Sequence, residues 1–139
     1  MIRIGLFGCG RIGRMHAANI ARHPGFELSQ VYDVVETAAR ETASQFGARA
    51  VSAPEIILEG SEVEAVLIAT STDTHVDLIE AAARAGKPIF CEKPIDLSLE
   101  RVNRCRDAIA GYDVPIQIGF NRRFDPGHRA AHDAMRQGE

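Results

Sequence analysis

The segment Gly8-Cys9-Gly10-Arg11-Ile12-Gly13 contains three glycines in a GxGxxG pattern. An apolar run at 2–7 precedes it and predicts a buried strand. Residues 11–22 follow with the pattern of a helix, which Pro24 and Gly25 are expected to end. A GxGxxG turn between a strand and a helix is typical of a dinucleotide-binding site.

Each glycine of the turn has a physical task in that interpretation. Gly8 allows the tight turn, Gly10 lets a pyrophosphate approach the backbone, and Gly13 lets the helix lie close to the strand. The amides and the dipole at the helix start favour a negative group. We therefore predict that Gly8, Gly10, Arg11, Ile12 and Gly13 bind the cofactor. A glycine-rich turn without a ligand is the alternative that stays open.

Asp33 lies at the end of the second predicted strand, twenty residues after Gly13. An acid at this spacing accepts hydrogen bonds from the adenosine ribose hydroxyls. It would repel a 2′-phosphate, and the following Val34 and Val35 supply no arginine to hold one. The spacing favours NAD over NADP, although an aspartate at a strand end also commonly forms a turn.

The rest of the chain alternates short apolar runs with amphipathic stretches. Further strands are predicted at 26–32, 48–51, 65–69, 89–91 and 115–119, and further helices at 36–46, 54–58, 74–85, 98–110 and 126–136. Gly47 and Ser98 are expected to cap two of these helices, and Thr74 with Asp77 forms a capping box. The alternation predicts an α/β Rossmann fold, a doubly wound parallel sheet with helices on both faces, as one dinucleotide-binding domain over 1–139.

Two loops follow buried strands, where ligands of open parallel sheets bind. The first contains Thr70, Ser71, Thr72 and His75, which we predict to contact the ribose and nicotinamide side of NAD. Helix capping is the alternative reading of this loop.

The second loop is Glu92-Lys93-Pro94, an unusual charged pair beside a core. Its lysine could hold a substrate hydroxyl and assist proton transfer, and a surface ion pair is the alternative. His16 is expected to pack within the first helix. The helix start beside Cys9 is expected to lower the pKa of its thiol.

Taken together, the glycine turn with His16, the loop at 70–75 and Glu92-Lys93-Pro94 resemble the Gfo/Idh/MocA family of oxidoreductases. The stretch Gly119-Phe120-Asn121-Arg122-Arg123-Phe124-Asp125 resembles its inositol 2-dehydrogenase branch. The resemblance covers essentially the whole chain. It implies an N-terminal Rossmann domain followed by a larger α/β domain, which this chain would lack.

The resemblance also implies an activity, the oxidation of a secondary alcohol of a sugar or cyclitol with NAD or NADP. Lys93 would lie near the nicotinamide and the reacting hydroxyl as the catalytic residue. Glu92, Pro94 and Arg122 would lie close to the cofactor. The family's usual catalytic aspartate and histidine belong to the second domain, so we expect NAD binding without turnover. Without the second domain, apolar surface would be exposed, so we also expect association into a homo-oligomer. A stand-alone dinucleotide-binding sensor or scaffold is the alternative.

The composition of the chain limits which partners and which cellular location are expected. The formal net charge of -3 and the absence of a basic run argue against nucleic acid as a partner. Three cysteines without a CxxC pair indicate reduced thiols, and His128 and His132 lack a third ligand, so no metal site is predicted. Neither a signal peptide nor a membrane-spanning run is evident, so a cytoplasmic location is expected.

Overall fold

The computed structural model describes residues 1–138 and contains a six-stranded sheet. Every strand pair is parallel, and the strand order is β3-β2-β1-β4-β5-β6. The strands are β1 (Ile2–Phe7), β2 (Phe26–Tyr32), β3 (Arg49–Ala50), β4 (Ala65–Ile68), β5 (Ile89–Cys91) and β6 (Ile116–Ile118). Every strand matches its predicted range to within one residue at each end, and β3, β4 and β6 are slightly shorter than predicted.

Helices cover both faces of the sheet. They are α1 (Arg11–Arg22), α2 (Glu36–Phe46), α3 (Pro54–Glu59), α4 (His75–Arg84), α5 (Leu99–Ile109) and α6 (Pro126–Gln137), with 3₁₀ turns at Thr72–Thr74 and Asn121–Phe124. One buried cluster joins Leu6 and Val31 to α1 and α2, and a second joins Phe7 and Ile68 to α3, α4 and α5. The predicted Rossmann fold is confirmed.

The order of the strands reverses at β1, which places the candidate site. β1 pairs with β2 on one side and with β4 on the other, where Phe7 lies opposite Ile68. The connections leaving β1 and β4 therefore diverge to opposite faces, and a crevice opens between them at the carboxyl edge. The glycine turn and the Thr70 loop follow these two strands directly.

The helix caps agree with the sequence at two positions and differ at one. Gly47 ends α2 with φ of 72°, and the Ser98 side chain accepts a hydrogen bond from Arg101 N at the start of α5. The prediction that Thr74 and Asp77 form a capping box is wrong. The preceding 3₁₀ turn directs the Thr74 hydroxyl to Ser71 O (2.8 Å) and Thr70 Oγ1 (2.7 Å) instead of a first-turn amide.

Within residues 1–138, no helix has the length and apolar character needed to cross a membrane.

Candidate dinucleotide site

The three glycines of the turn have different surroundings. Gly8 has φ of 93°, and a Cβ there would lie 2.5 Å from Ala69 O. A Cβ on Gly13 would lie 1.8 Å from Gly8 O, so this position requires glycine for close packing of α1 on the turn. Among the described residues, nothing lies within 4 Å of a Cβ on Gly10. Gly10 is thus the glycine whose bare backbone faces open space.

The N-terminus of α1 is free to receive an anion. Gly10 is its N-cap, and within residues 1–138 no side chain caps the helix and no acid lies in its first turn. The amides of Arg11, Ile12 and Gly13 have no acceptor within the helix, as in the first turn of any helix. Their positive potential faces the open space above Gly10, so the residues present fit a pyrophosphate.

Asp33 lies beside this helix start, and two backbone amides hold its carboxylate. Its Oδ2 accepts from Cys9 N at 2.7 Å, and its Oδ1 accepts from Val35 N at 2.8 Å. A carboxylate can accept about four hydrogen bonds, so both oxygens retain capacity for ribose hydroxyls. The two amides fix the orientation of the Asp33 carboxylate.

Cys9 does not behave as its position in the turn suggested. Its side chain is buried, and burial raises the pKa of the thiol. The expectation of a lowered pKa is wrong, because loss of hydration is the largest influence on the thiol and the nearby Asp33 carboxylate acts in the same direction.

A cleft of about 630 Å³ lies between the glycine turn and the Thr70 loop. This volume is typical of small-molecule sites. The cleft is lined by seven of the predicted residues, Gly8, Gly10, Arg11, Ile12, Asp33, Thr70 and Ser71. Its other walls, which the sequence analysis missed, are Tyr32, Val34, Pro54, Ala69, Asp73, Thr74, Asp77 and Leu78. Most of these residues flank a predicted one in sequence, which is the signal that could have found them.

The other predicted site residues lie outside the lining of the cleft. Gly13 packs behind the turn, and Thr72 belongs to the 3₁₀ turn before α4. His75 is 2% exposed, and its Nδ1 and Nε2 lie 2.8 Å from Pro94 O and 3.1 Å from Thr70 O. His75 therefore connects the two loops at the carboxyl edge.

Glu92, Lys93 and Pro94 follow β5, next to the Thr70 loop. Glu92 Oε1 lies 2.8 Å from His16 Nε2, and the Lys93 side chain is exposed. His16 belongs to α1 as expected, and its ring also contacts Glu92 and lies edge-on to Phe90, with centroids 5.4 Å apart, which was not predicted. The fold brings these groups together, because β5 pairs with β4 and α1 packs on the sheet face to which Phe90 of β5 belongs.

Arg122 lies apart from the cleft, in the second 3₁₀ turn. It is exposed, and its Nη1 lies 3.5 Å from Asp125 Oδ2. It lines a separate groove of about 550 Å³ together with Arg123, His128, Arg129, His132, Asp133 and Arg136. In the part of the chain that the structure describes, no three histidine, cysteine or acidic side chains cluster closely enough to hold a metal ion.

Comparison with known proteins agrees with this geometry. Residues 2–120 match the GFO_IDH_MocA family model, described as an oxidoreductase family with an NAD-binding Rossmann fold. The chain is 44% identical to inositol 2-dehydrogenase of Rhizobium meliloti over 137 residues, which are 99% of this chain and 41% of that protein. It therefore spans about two fifths of the length of the curated relatives it matches.

Solved structures of inositol dehydrogenases also match this chain over nearly its whole length. A myo-inositol dehydrogenase from Corynebacterium glutamicum is 42% identical with a TM-score of 0.89, over 99% of this chain and 41% of that one. A scyllo-inositol dehydrogenase from Lactobacillus casei, solved with NAD(H) and scyllo-inositol, is 33% identical with a TM-score of 0.91, over 99% and 42%. The chain belongs to the Gfo/Idh/MocA oxidoreductase family and corresponds to the NAD-binding Rossmann domain of its inositol dehydrogenase-like members.

Proposed function

We propose that this chain binds NAD in the cleft beside the glycine turn and serves a dehydrogenase acting on a secondary alcohol of a cyclitol or sugar. The observation that carries the proposal is the open helix start above Gly10 beside the oriented carboxylate of Asp33. The substrate class is supported by relatives named for myo-inositol and scyllo-inositol. myo-Inositol is accordingly the first compound to test.

Different residues of the cleft would contact different parts of NAD. The amides of Arg11, Ile12 and Gly13 would bind the pyrophosphate, and Asp33 would accept hydrogen bonds from the adenosine ribose. Thr70 and Ser71 would supply polar contacts toward the nicotinamide, with Thr72 and Pro94 further along that side. Arg122 lines a separate groove, so we assign it no contact with NAD in this cleft. NAD, when bound, supplies the acceptor for the hydride that leaves the alcohol carbon.

Lys93 is the proposed catalytic residue. Its ammonium is exposed beyond β5, next to the strand whose loop closes the cleft. An ammonium there can donate a hydrogen bond to the substrate hydroxyl and lower the cost of removing its proton. Glu92 and His75 are already bonded within the chain, so we assign them indirect roles.

Cofactor selectivity tests the proposal. Calorimetric titration should give tighter binding of NAD than of NADP, because Asp33 repels a 2′-phosphate. Asp33→Ala should weaken NAD binding by about 1.5–3 kcal/mol, the range for hydrogen bonds to charged groups, and should reduce the preference. Val34→Ala, which changes an exposed neighbour in the same cleft, is the matched control. Equal affinity of the wild-type chain for both cofactors would refute the role of Asp33.

We also propose that these 139 residues alone do not turn over a cyclitol. Near-attack geometry is worth on the order of 7–11 kcal/mol, and it requires a wall that holds the substrate beside the nicotinamide. Lys93 supplies one hydrogen-bonding group of that arrangement. Incubation with NAD and a panel including myo-inositol should produce NADH at the background rate. Robust production of NADH that Lys93→Ala abolishes would contradict the proposal.

A further inference from the structure

Two histidines from different helices bond to opposite ends of the Glu92-Lys93-Pro94 turn. His16 of α1 contacts Glu92 at the first position, and His75 of α4 contacts Pro94 at the third. Lys93 lies between them. Neither histidine is adjacent to the turn in sequence, with separations of 76 residues for the first contact and 19 for the second.

The Glu92 carboxylate is enclosed by contacts within the chain. Its Oε1 meets His16 Nε2 at 2.8 Å, and its Oε2 accepts from Lys93 N at 3.2 Å. A Cβ on Gly119 would lie 3.2 Å from both oxygens, so the carboxylate also lies against the backbone at the end of β6. The Glu92 side chain is 19% exposed, which leaves little of it for a ligand.

The other end of the turn is held by a fully buried ring. His75 lies near Pro94 O and Thr70 O at the same time, and Thr70 in turn bonds to Thr74. His75 thereby connects the Lys93 turn to a wall of the cleft. His16 connects the same turn to the helix whose N-terminus faces the open space above Gly10.

We propose that His16 and His75 are positioning residues that hold the Lys93 turn from both ends, so that Lys93 is presented at a fixed point beside the cleft. The chemical role of Lys93 rests on the function proposed above; the positioning itself does not. A flexible lysine side chain can be placed accurately only when its backbone is held, and placement is what proton transfer at a bound hydroxyl needs.

The composition of the chain allows a direct test. It has two lysines, the exposed Lys93 and the buried Lys87, so a chain labelled with ¹⁵N only at lysine gives one backbone signal from each. Lys87 reports whether the core is intact, and Lys93 reports on the turn. Amide order parameters are measured without cofactor, so a failure to bind NAD leaves this test unaffected.

The order parameter of Lys93 should be near the rigid value of about 0.85 in the wild-type chain and fall below about 0.6 in His16→Ala and in His75→Ala. Lys87 should stay unchanged. His16→Gln should restore order at Lys93, since a glutamine amide can donate to Glu92. His132→Ala, which removes an exposed histidine on α6, is the matched control and should have no effect.

The outcomes separate positioning from a general effect on folding. A rigid Lys93 in folded His16→Ala and His75→Ala would overturn the proposal, and so would a loss of order that His16→Gln does not repair. Loss of the native Lys87 signal in His75→Ala would show that this buried ring is needed for folding. His16→Ala and its glutamine counterpart then decide the proposal by themselves.

Discussion

Among single residues, the two lysines of the chain differ most clearly in burial, since Lys87 is buried and Lys93 is exposed. The Nζ of Lys87 donates to Gly60 O at 3.0 Å and to Val63 O at 2.7 Å, closing the loop between α3 and β4. Burial lowers the pKa of this ammonium. Lys93, six residues later, extends into solvent beside the cleft.

Replacing each lysine by methionine should therefore have different consequences. Lys87→Met leaves two carbonyls without their donor and should lower the free energy of unfolding by about 1–3 kcal/mol. Lys93→Met changes an exposed side chain and should stay within about 0.5 kcal/mol of the wild type. Urea unfolding of the three proteins measures both. Similar unfolding free energies for Lys87→Met and Lys93→Met would show that the buried ammonium is not a structural donor.

Among the elements, the unit formed by β1, the glycine turn and α1 contains one glycine that close packing requires, Gly13, and one that faces open space, Gly10. Gly13→Ala would place a methyl group 1.8 Å from Gly8 O and should strongly lower the melting temperature. Gly10 has an extended backbone, with φ of -71° and ψ of -169°, and a methyl group there meets open space.

Gly10→Ala should accordingly keep the stability of the fold and weaken NAD binding, because the added methyl group lies where the pyrophosphate approaches. Calorimetry with NAD and a thermal melt of each variant check the two effects. Gly111→Ala, at another open glycine outside the cleft, is the matched control for stability. Undiminished NAD binding by Gly10→Ala would place the pyrophosphate elsewhere.

These elements also show what could be predicted from sequence. Local sequence patterns were enough to predict the strands, the helices, the caps at Gly47 and Ser98, and the residues of the glycine turn. The bond between His16 and Glu92 could not be predicted in this way, because it requires knowing that β5 lies beside β4 and that α1 covers that side. The predicted capping role of Thr74 was wrong for a related reason. A 3₁₀ turn precedes α4, and the Thr74 hydroxyl bonds back to Ser71 O in that turn.

At the scale of the whole molecule, one face of the sheet exposes apolar residues beyond the end of α1. A groove of about 480 Å³ there is lined mainly by apolar side chains, including Phe26, Phe90, Pro115 and Ile116. It reaches β6, which is an edge strand of the sheet. Exposed apolar surface and an open strand edge both favour contact with another copy of the chain.

We therefore expect this chain to self-associate as its concentration rises. Sedimentation velocity should show a dimer or higher species, and Ile116→Lys should shift the distribution toward the monomer by placing a charge in the groove. Leu97→Lys, which adds the same single charge at an exposed apolar residue outside the groove, controls for the effect of net charge. A monomer at every accessible concentration would contradict the expectation.

A crystal structure of the chain grown with saturating NAD would show whether NAD binds across the glycine turn. We expect the pyrophosphate over Gly10, within about 3 Å of the first amides of α1, and the adenosine ribose on Asp33. The nicotinamide should extend toward the Thr70 loop and Lys93. NAD bound instead in the arginine-lined groove beside Arg122, or an empty cleft at saturation, would contradict the account.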